Sequence, residues 1–120
     1  MSKINIAIAG VGNCASALLQ GLEMYKQSPD NVIGLLNYDL GGYTPGDVNI
    51  VAAFDVDKRK VGKPLKEAVF AKPNCALVFY DKLPDYPVQV HMGPVMDGVS
   101  EHMADYDPDK SFVVADKEPC

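Results

Sequence analysis

The chain has 120 residues, 48% of them hydrophobic, enough for one small domain or part of a larger one and too apolar for global disorder. Its formal net charge of −5 gives an acidic surface that repels phosphate backbones and disfavours a nucleic-acid partner, although a phosphorylated small molecule needs only a local donor pocket. No apolar run approaches the roughly 20 residues of a membrane span, and Cys14, Cys75 and Cys120 stand far apart without CxxC spacing, as free thiols of a reducing compartment do.

In chain order, residues 3–9, KINIAIA, alternate Ile4, Ile6 and Ile8 with Asn5, Ala7 and Ala9. That alternation predicts a first strand whose small alanines suit a covering helix. Gly10 and Gly12 end the strand, and the period then changes. Ala15, Leu18, Leu19, Leu22 and Tyr25 fall at helical spacing on one stripe, with Asn13 as the expected N-cap. Lys3, the apolar stretch and Ala15-Ser16-Ala17 imitate a secretion signal, but Asn5, Gly10, Gly12 and Asn13 interrupt it, so the cytoplasm is the expected compartment.

Residues 28–47, SPDNVIGLLNYDLGGYTPGD, carry turn residues throughout and predict a long insertion loop. NIVAAFD, 49–55, is a continuous apolar run ending in an acid, the pattern of a second, parallel strand. Asp57 suits a turn over 58–61, and Pro64 opens a short helix with Leu65, Ala68 and Val69 facing inward. Further on, ALVFY (76–80) and VQVHM (88–92) predict two short strands. GPVMDGVSEHMADYDPDK is expected to be mostly loop, and SFVVADKEPC to hold one more short strand.

Gly10-Val11-Gly12-Asn13-Cys14-Ala15 fits G-x-G-x-x-G/A between a predicted strand and a predicted helix. Gly10 would allow the tight turn, Gly12 would let a pyrophosphate approach the backbone, and Ala15 would keep helix and strand close. The amides of Asn13 and Cys14, opening the helix, would then stabilise the anion together with the helix dipole. Asp55, at the end of the second strand, is placed to accept hydrogen bonds from both ribose hydroxyls of an adenosine and to repel a 2′-phosphate, which favours NAD over NADP. The interval from the glycines is about twice the usual 20 residues, and the 28–47 excursion accounts for the excess. Lys58 and Arg59 keep NADP open as a minority alternative. The competing account is a tight strand-to-helix turn that binds nothing, with Asp55 a capping or solvent-facing acid.

Other patterns carry less chemistry. Asp105, Asp107 and Asp109 mimic the start of a calcium loop, but Lys110 stands where its glycine is needed and Pro108 intrudes. His91 and His102 have no neighbouring ligand pattern, so no metal is expected, and no catalytic triad or paired carboxylate stands out.

GVGNCASALLQGLEMY, NYDLGGYTPGDVNIVAAFDVDKRKVGK, AVFAKPNC and GPVMDGV resemble, in that order, the N-terminal third of the archaeal and actinobacterial type of inositol-3-phosphate synthase (myo-inositol-1-phosphate synthase). The resemblance implies an α/β fold and the N-terminal part, residues 1–120, of a Rossmann-like NAD(P)-binding domain. That part is a parallel βαβ unit with a long insertion after the first helix. It implies an NAD-dependent isomerase of inositol and phospholipid biosynthesis that turns D-glucose 6-phosphate into 1D-myo-inositol 3-phosphate. The implied steps are oxidation, enolisation, aldol cyclisation and return of the hydride, by a cytoplasmic homotetramer when full-length. The implied cofactor positions are Gly10, Gly12, Asn13, Cys14, Ala15 and Asp55. The family's catalytic lysines and acid come from segments beyond residue 120, so no catalytic residue or catalytic domain is assigned here, and Pro64 stands where such relatives carry Asp. Two alternatives remain open: a non-catalytic nucleotide-binding module, and the cofactor domain of another NAD-dependent oxidoreductase.

Overall fold

A computed structural model describes residues 3–28, 30, 33–96 and 99–120. Its elements in chain order are β1 (Ile4–Ala9), α1 (Asn13–Gln27), β2 (Val48–Asp55), α2 (Leu65–Ala68) and β3 (Val90–Met92). All strand pairs are parallel, in the order β1-β2-β3 with β2 central. Parallel neighbours need long crossovers. The first runs through α1 and the 28–47 excursion, the second through α2 and residues 69–89. The expected α/β class and parallel βαβ unit hold.

The β1–β2 register slips between Ile6 and Ala7, where Val51 is the extra residue of β2. A bulge of this kind reverses which side chains face inward beyond it. Ile50 is therefore followed inward by Ala53 and Asp55 rather than by Ala52 and Phe54, and all three are buried. Without the slip, the acid would point to the opposite face of the sheet.

The core lies on one side of the sheet. Ile8, Ile50, Ala53 and Val90 supply the sheet layer, while Ala15 and Leu19 of α1 and Leu65, Ala68 and Val69 at α2 cover it. The inward placement of Leu65, Ala68 and Val69 is as expected, with Pro64 at the N-cap of α2. The expectation that the β1 alanines lie beneath a helix is corrected: Ala7 and Ala9 are exposed, because both helices pack on the isoleucine face. On the opposite face Asn49 donates to Asn5 at 3.0 Å.

The predicted stripe of α1 is also rotated. Leu18 is 44% exposed, whereas Ser16, Gln20 and Glu23 are buried beside Ala15 and Leu19. Gln20 turns inward because it binds residues 77–80, which form no strand, while Ser16 accepts from Gln20 and Glu23 pairs with Lys26 and Tyr86. Gln20 Oε1 accepts the N–H groups of Phe79 (2.8 Å) and Tyr80 (3.0 Å), and its Nε2 donates to Leu77 O (3.3 Å). ALVFY thus lies along α1, pinned by a side-chain amide instead of a sheet neighbour. Gln20→Leu should cost about 2 kcal/mol by leaving these backbone groups unpaired. Urea unfolding, with faster amide exchange at Phe79 and Tyr80, would register the loss.

Of the 28–47 excursion, Pro29, Asn31 and Val32 lie outside the described residues. The rest makes no helix or strand until a 3₁₀ turn at Pro45–Asp47, opened by a Thr44–Asp47 capping box. Leu40 and Tyr43 exchange backbone hydrogen bonds around Gly41 (φ 62°) and Gly42 (φ 92°), a turn that glycine makes without strain. Beyond β3, Asp97 and Gly98 of the predicted loop also lie outside the described residues. The loop forms 3₁₀ turns at Glu101–Asp105 and Pro108–Lys110. The strand expected in the tail reduces to a single antiparallel bridge between Val114 and Asp57.

Candidate functional site

The carboxyl ends of the three strands meet at the Gly10-Val11-Gly12 turn. Gly10, at φ 96°, donates its N–H to Phe54 O at 2.8 Å and so extends the β1–β2 ladder by one bond. A side chain rarely adopts that φ, so the turn itself requires glycine there. Val11 is fully buried in the core. Gly12 is the N-cap of α1, in an ordinary extended conformation (φ −96°), and a Cβ built on it meets no atom within 4 Å. The protein's own packing does not demand a glycine at that position; the space in front of it is open.

Asn13 is not the cap that its position suggests. It is the first residue of the helix, and its Oδ1 accepts the N–H groups of Cys75 (2.7 Å) and Ala76 (2.8 Å). The start of α1 therefore has no side-chain cap to take up its first amides and positive dipole end. Cys14 is exposed at this end, while Ala15 is 7% exposed and packs with Ile8 and Leu19.

Asp55 comes directly to the turn. Its Oδ2 accepts the Val11 N–H at 2.8 Å, and its Oδ1 accepts the N–H groups of Val56 (2.7 Å) and Asp57 (2.9 Å). A carboxylate has about four acceptor sites. Three are filled, which leaves one, on Oδ2. The acid is buried, and it is neither a helix cap nor solvent-facing.

Two neighbours that brace the turn escaped the sequence reading. Lys60 is fully buried, and its Nζ donates to Val11 O and to Asn74 Oδ1, both at 2.6 Å. Asn74 Nδ2 adds a second donor to Val11 O at 3.1 Å. Burial pushes the Lys60 amine below its ordinary value, and the carboxylates of Asp55 and Asp57 oppose that shift. Lys60 sits in a Lys-Arg-Lys run that reads as a solvated face; its one signal is the i, i+3, i+4 spacing with Asp57 and Val61, both also buried.

Asp57 anchors the next loop. It is fully buried and accepts Arg59 Nε (2.8 Å), Arg59 Nη2 (2.7 Å) and the Val113 N–H (2.9 Å). Burial alone would raise its pKa, but the guanidinium and the N–H donors more than offset that and hold the carboxyl below its usual value. Arg59 also donates to Pro108 O and Ser111 O, at 2.6 and 2.7 Å, and so straps the 108–113 segment beside the end of β2.

Two clefts flank the turn. One of about 550 Å³ is lined by Gly10, Phe54, Asp55, Val56 and Phe112. The other, of about 730 Å³, is lined by Gly12, Asn13, Lys72, Asn74, Lys110 and Phe112. Phe112 stands between them. Ligands of open parallel sheets bind at this position, outside the carboxyl ends of the strands. Among the described residues, no group of three or more His, Cys, Asp or Glu side chains is placed to hold a metal ion, and no helix is long and apolar enough to cross a membrane.

A parallel βαβ unit with a glycine turn, an uncapped helix start and a carboxylate closing the second strand defines a Rossmann-like α/β unit. Within that class the chain matches the N-terminal portion of actinobacterial proteins named inositol-3-phosphate synthase. It is 44% identical over 119 residues to the inositol-3-phosphate synthase of Mycolicibacterium smegmatis, covering 98% of this chain and 31% of the relative. It is 45% identical over 103 residues to that of Corynebacterium glutamicum, covering 84% and 28%. Among solved structures, a protein described as Ari2 superposes with a TM-score of 0.66 at 39% identity, covering 90% of this chain and 31% of that one. The chain thus spans about a third of the length of the curated relatives it matches. No protein-family model matches it.

Proposed function

We propose that residues 1–120 form the NAD-binding, N-terminal part of an inositol-3-phosphate synthase, which isomerises D-glucose 6-phosphate to 1D-myo-inositol 3-phosphate. The carrying observation is the 2.8 Å bond between the Val11 N–H and Asp55 Oδ2 beside the uncapped start of α1. It supports reading the turn as a diphosphate seat with Asp55 as the neighbouring ribose acceptor. The residues present fit a dinucleotide: open space in front of Gly12, free helix amides, and one unused acceptor on Asp55.

In this proposal the backbone amides of Gly12, Asn13 and Cys14 hold the diphosphate, Gly10 shapes the turn, and Ala15 keeps the helix close. Asp55 takes one ribose hydroxyl. Arg59, locked on Asp57 and two carbonyls, is not free to meet a 2′-phosphate, which supports NAD over NADP. NAD held by these residues would supply reversible hydride transfer, which suits an isomerisation with no net redox change. The chain's own contribution is to seat and orient that group; no residue here is assigned to proton transfer or to the sugar phosphate. The 28–47 excursion is an insertion within the dinucleotide domain.

Calorimetric titration tests the assignment. NAD is expected to bind, and NADP more weakly by roughly tenfold or more. An absence of heat with NAD at millimolar concentration would overturn it.

A further inference from the structure

Beyond the ligand-facing atoms, the peptide joining Val11 to Gly12 is held from behind. Its carbonyl oxygen accepts from Lys60 Nζ at 2.6 Å and from Asn74 Nδ2 at 3.1 Å, and Lys60 Nζ also reaches Asn74 Oδ1 at 2.6 Å. In front of the same residue, the Val11 N–H is held by Asp55. The middle residue of the glycine turn is thus gripped at both of its backbone polar groups, by Asp55 at the end of β2 on one side and by buried Lys60 and half-buried Asn74, from the loops after β2 and α2, on the other.

We propose that Lys60 and Asn74 are positioning residues that aim and polarise the Gly12 N–H as an anion donor, an inference that rests on the diphosphate assignment above. In a trans peptide the C=O and N–H lie in one plane and point in opposite directions. Donors fixed on the Val11 oxygen therefore turn the Gly12 N–H the other way, away from Lys60 and Asn74. Hydrogen bonds in series reinforce one another, so two donors on the carbonyl, one an amine, make the opposite N–H a stronger donor. The arrangement also explains why a lysine is fully buried here: it has two acceptors within hydrogen-bond reach, and the charges of Asp55 and Asp57 nearby.

The test uses the 120-residue chain with two variants, Lys60→Met and Asn74→Ala, because the first removes a buried cation beside two acids and can lose the fold. The first readout needs no ligand. The Gly12 amide nitrogen resonance should move upfield in either folded variant as the bonds to the preceding carbonyl are lost. The second readout is affinity for ADP, expected to fall about tenfold or more, while affinity for adenosine, which has no phosphate, stays unchanged. A folded variant that keeps both the Gly12 resonance and the ADP affinity overturns the clamp. So does equal weakening of ADP and adenosine, the mark of a merely structural role. If the unaltered chain binds neither ADP nor NAD, the dinucleotide assignment falls and the donor role falls with it. The Gly12 shift would still report whether the clamp exists.

Discussion

Gly12→Val is expected to lower affinity for NAD by roughly a hundredfold or more while changing folding stability by only about 1 kcal/mol. The two effects separate because Gly12 has an ordinary φ of −96° and a Cβ there meets no protein atom within 4 Å. The stability cost is that of an apolar N-cap in place of glycine. The binding cost comes from branched methyls occupying the space a phosphate needs and blocking a charge-assisted hydrogen bond. Gly10→Ala should behave in the opposite sense. Its φ of 96° forces a side chain into the left-handed region at roughly 1–2 kcal/mol of stability. Parallel calorimetry and urea unfolding distinguish the pair, and a valine variant that binds NAD like the parent would remove the phosphate turn from the proposal.

Asp57→Ala is expected to destabilise the fold by about 3–5 kcal/mol, a large share of the total for a domain of this size. The carboxylate is fully buried and accepts four donors: the N–H, Nε and Nη2 of Arg59 and the N–H of Val113. Its loss strands a guanidinium that is largely covered and releases the 108–113 segment. The same group makes stability depend on acid. Its folded pKa lies below the ordinary aspartate value. The stabilisation is therefore complete above the unfolded value and disappears as pH falls through the lowered folded value. Urea midpoints between pH 7 and pH 2 should fall for the parent, and Asp57→Asn should show a smaller acid-dependent loss. An identical pH profile in the two proteins would contradict this role.

Much of the frame can be read along the chain. The alternation of Ile4, Ile6 and Ile8, the break at two glycines and the change to helical spacing are local properties, and β1, the turn and α1 appear where they indicate. The apolar run to Asp55 likewise becomes the central strand, because a strand paired on both edges within a packed layer favours unbroken β-branched and small residues. Residues 76–80 have the composition of a strand but make none. Strand formation needs an available partner edge, and here the amide of Gln20 takes the N–H groups that a neighbour would have used.

Sequence alone determined the first strand, the glycine turn, the first helix and the acid closing the second strand, since each depends on residues close together in the chain. Only the tertiary structure decided that Asp55 faces that turn, through a one-residue slip at Val51. It also decided that Asn13 braces a distant loop and that Lys60 and Asn74 hold the Val11 carbonyl from behind. These outcomes depend on which backbone polar groups remain unpaired once strands and helices have packed. That is a property of contacts 44 to 63 residues apart, not of any local pattern.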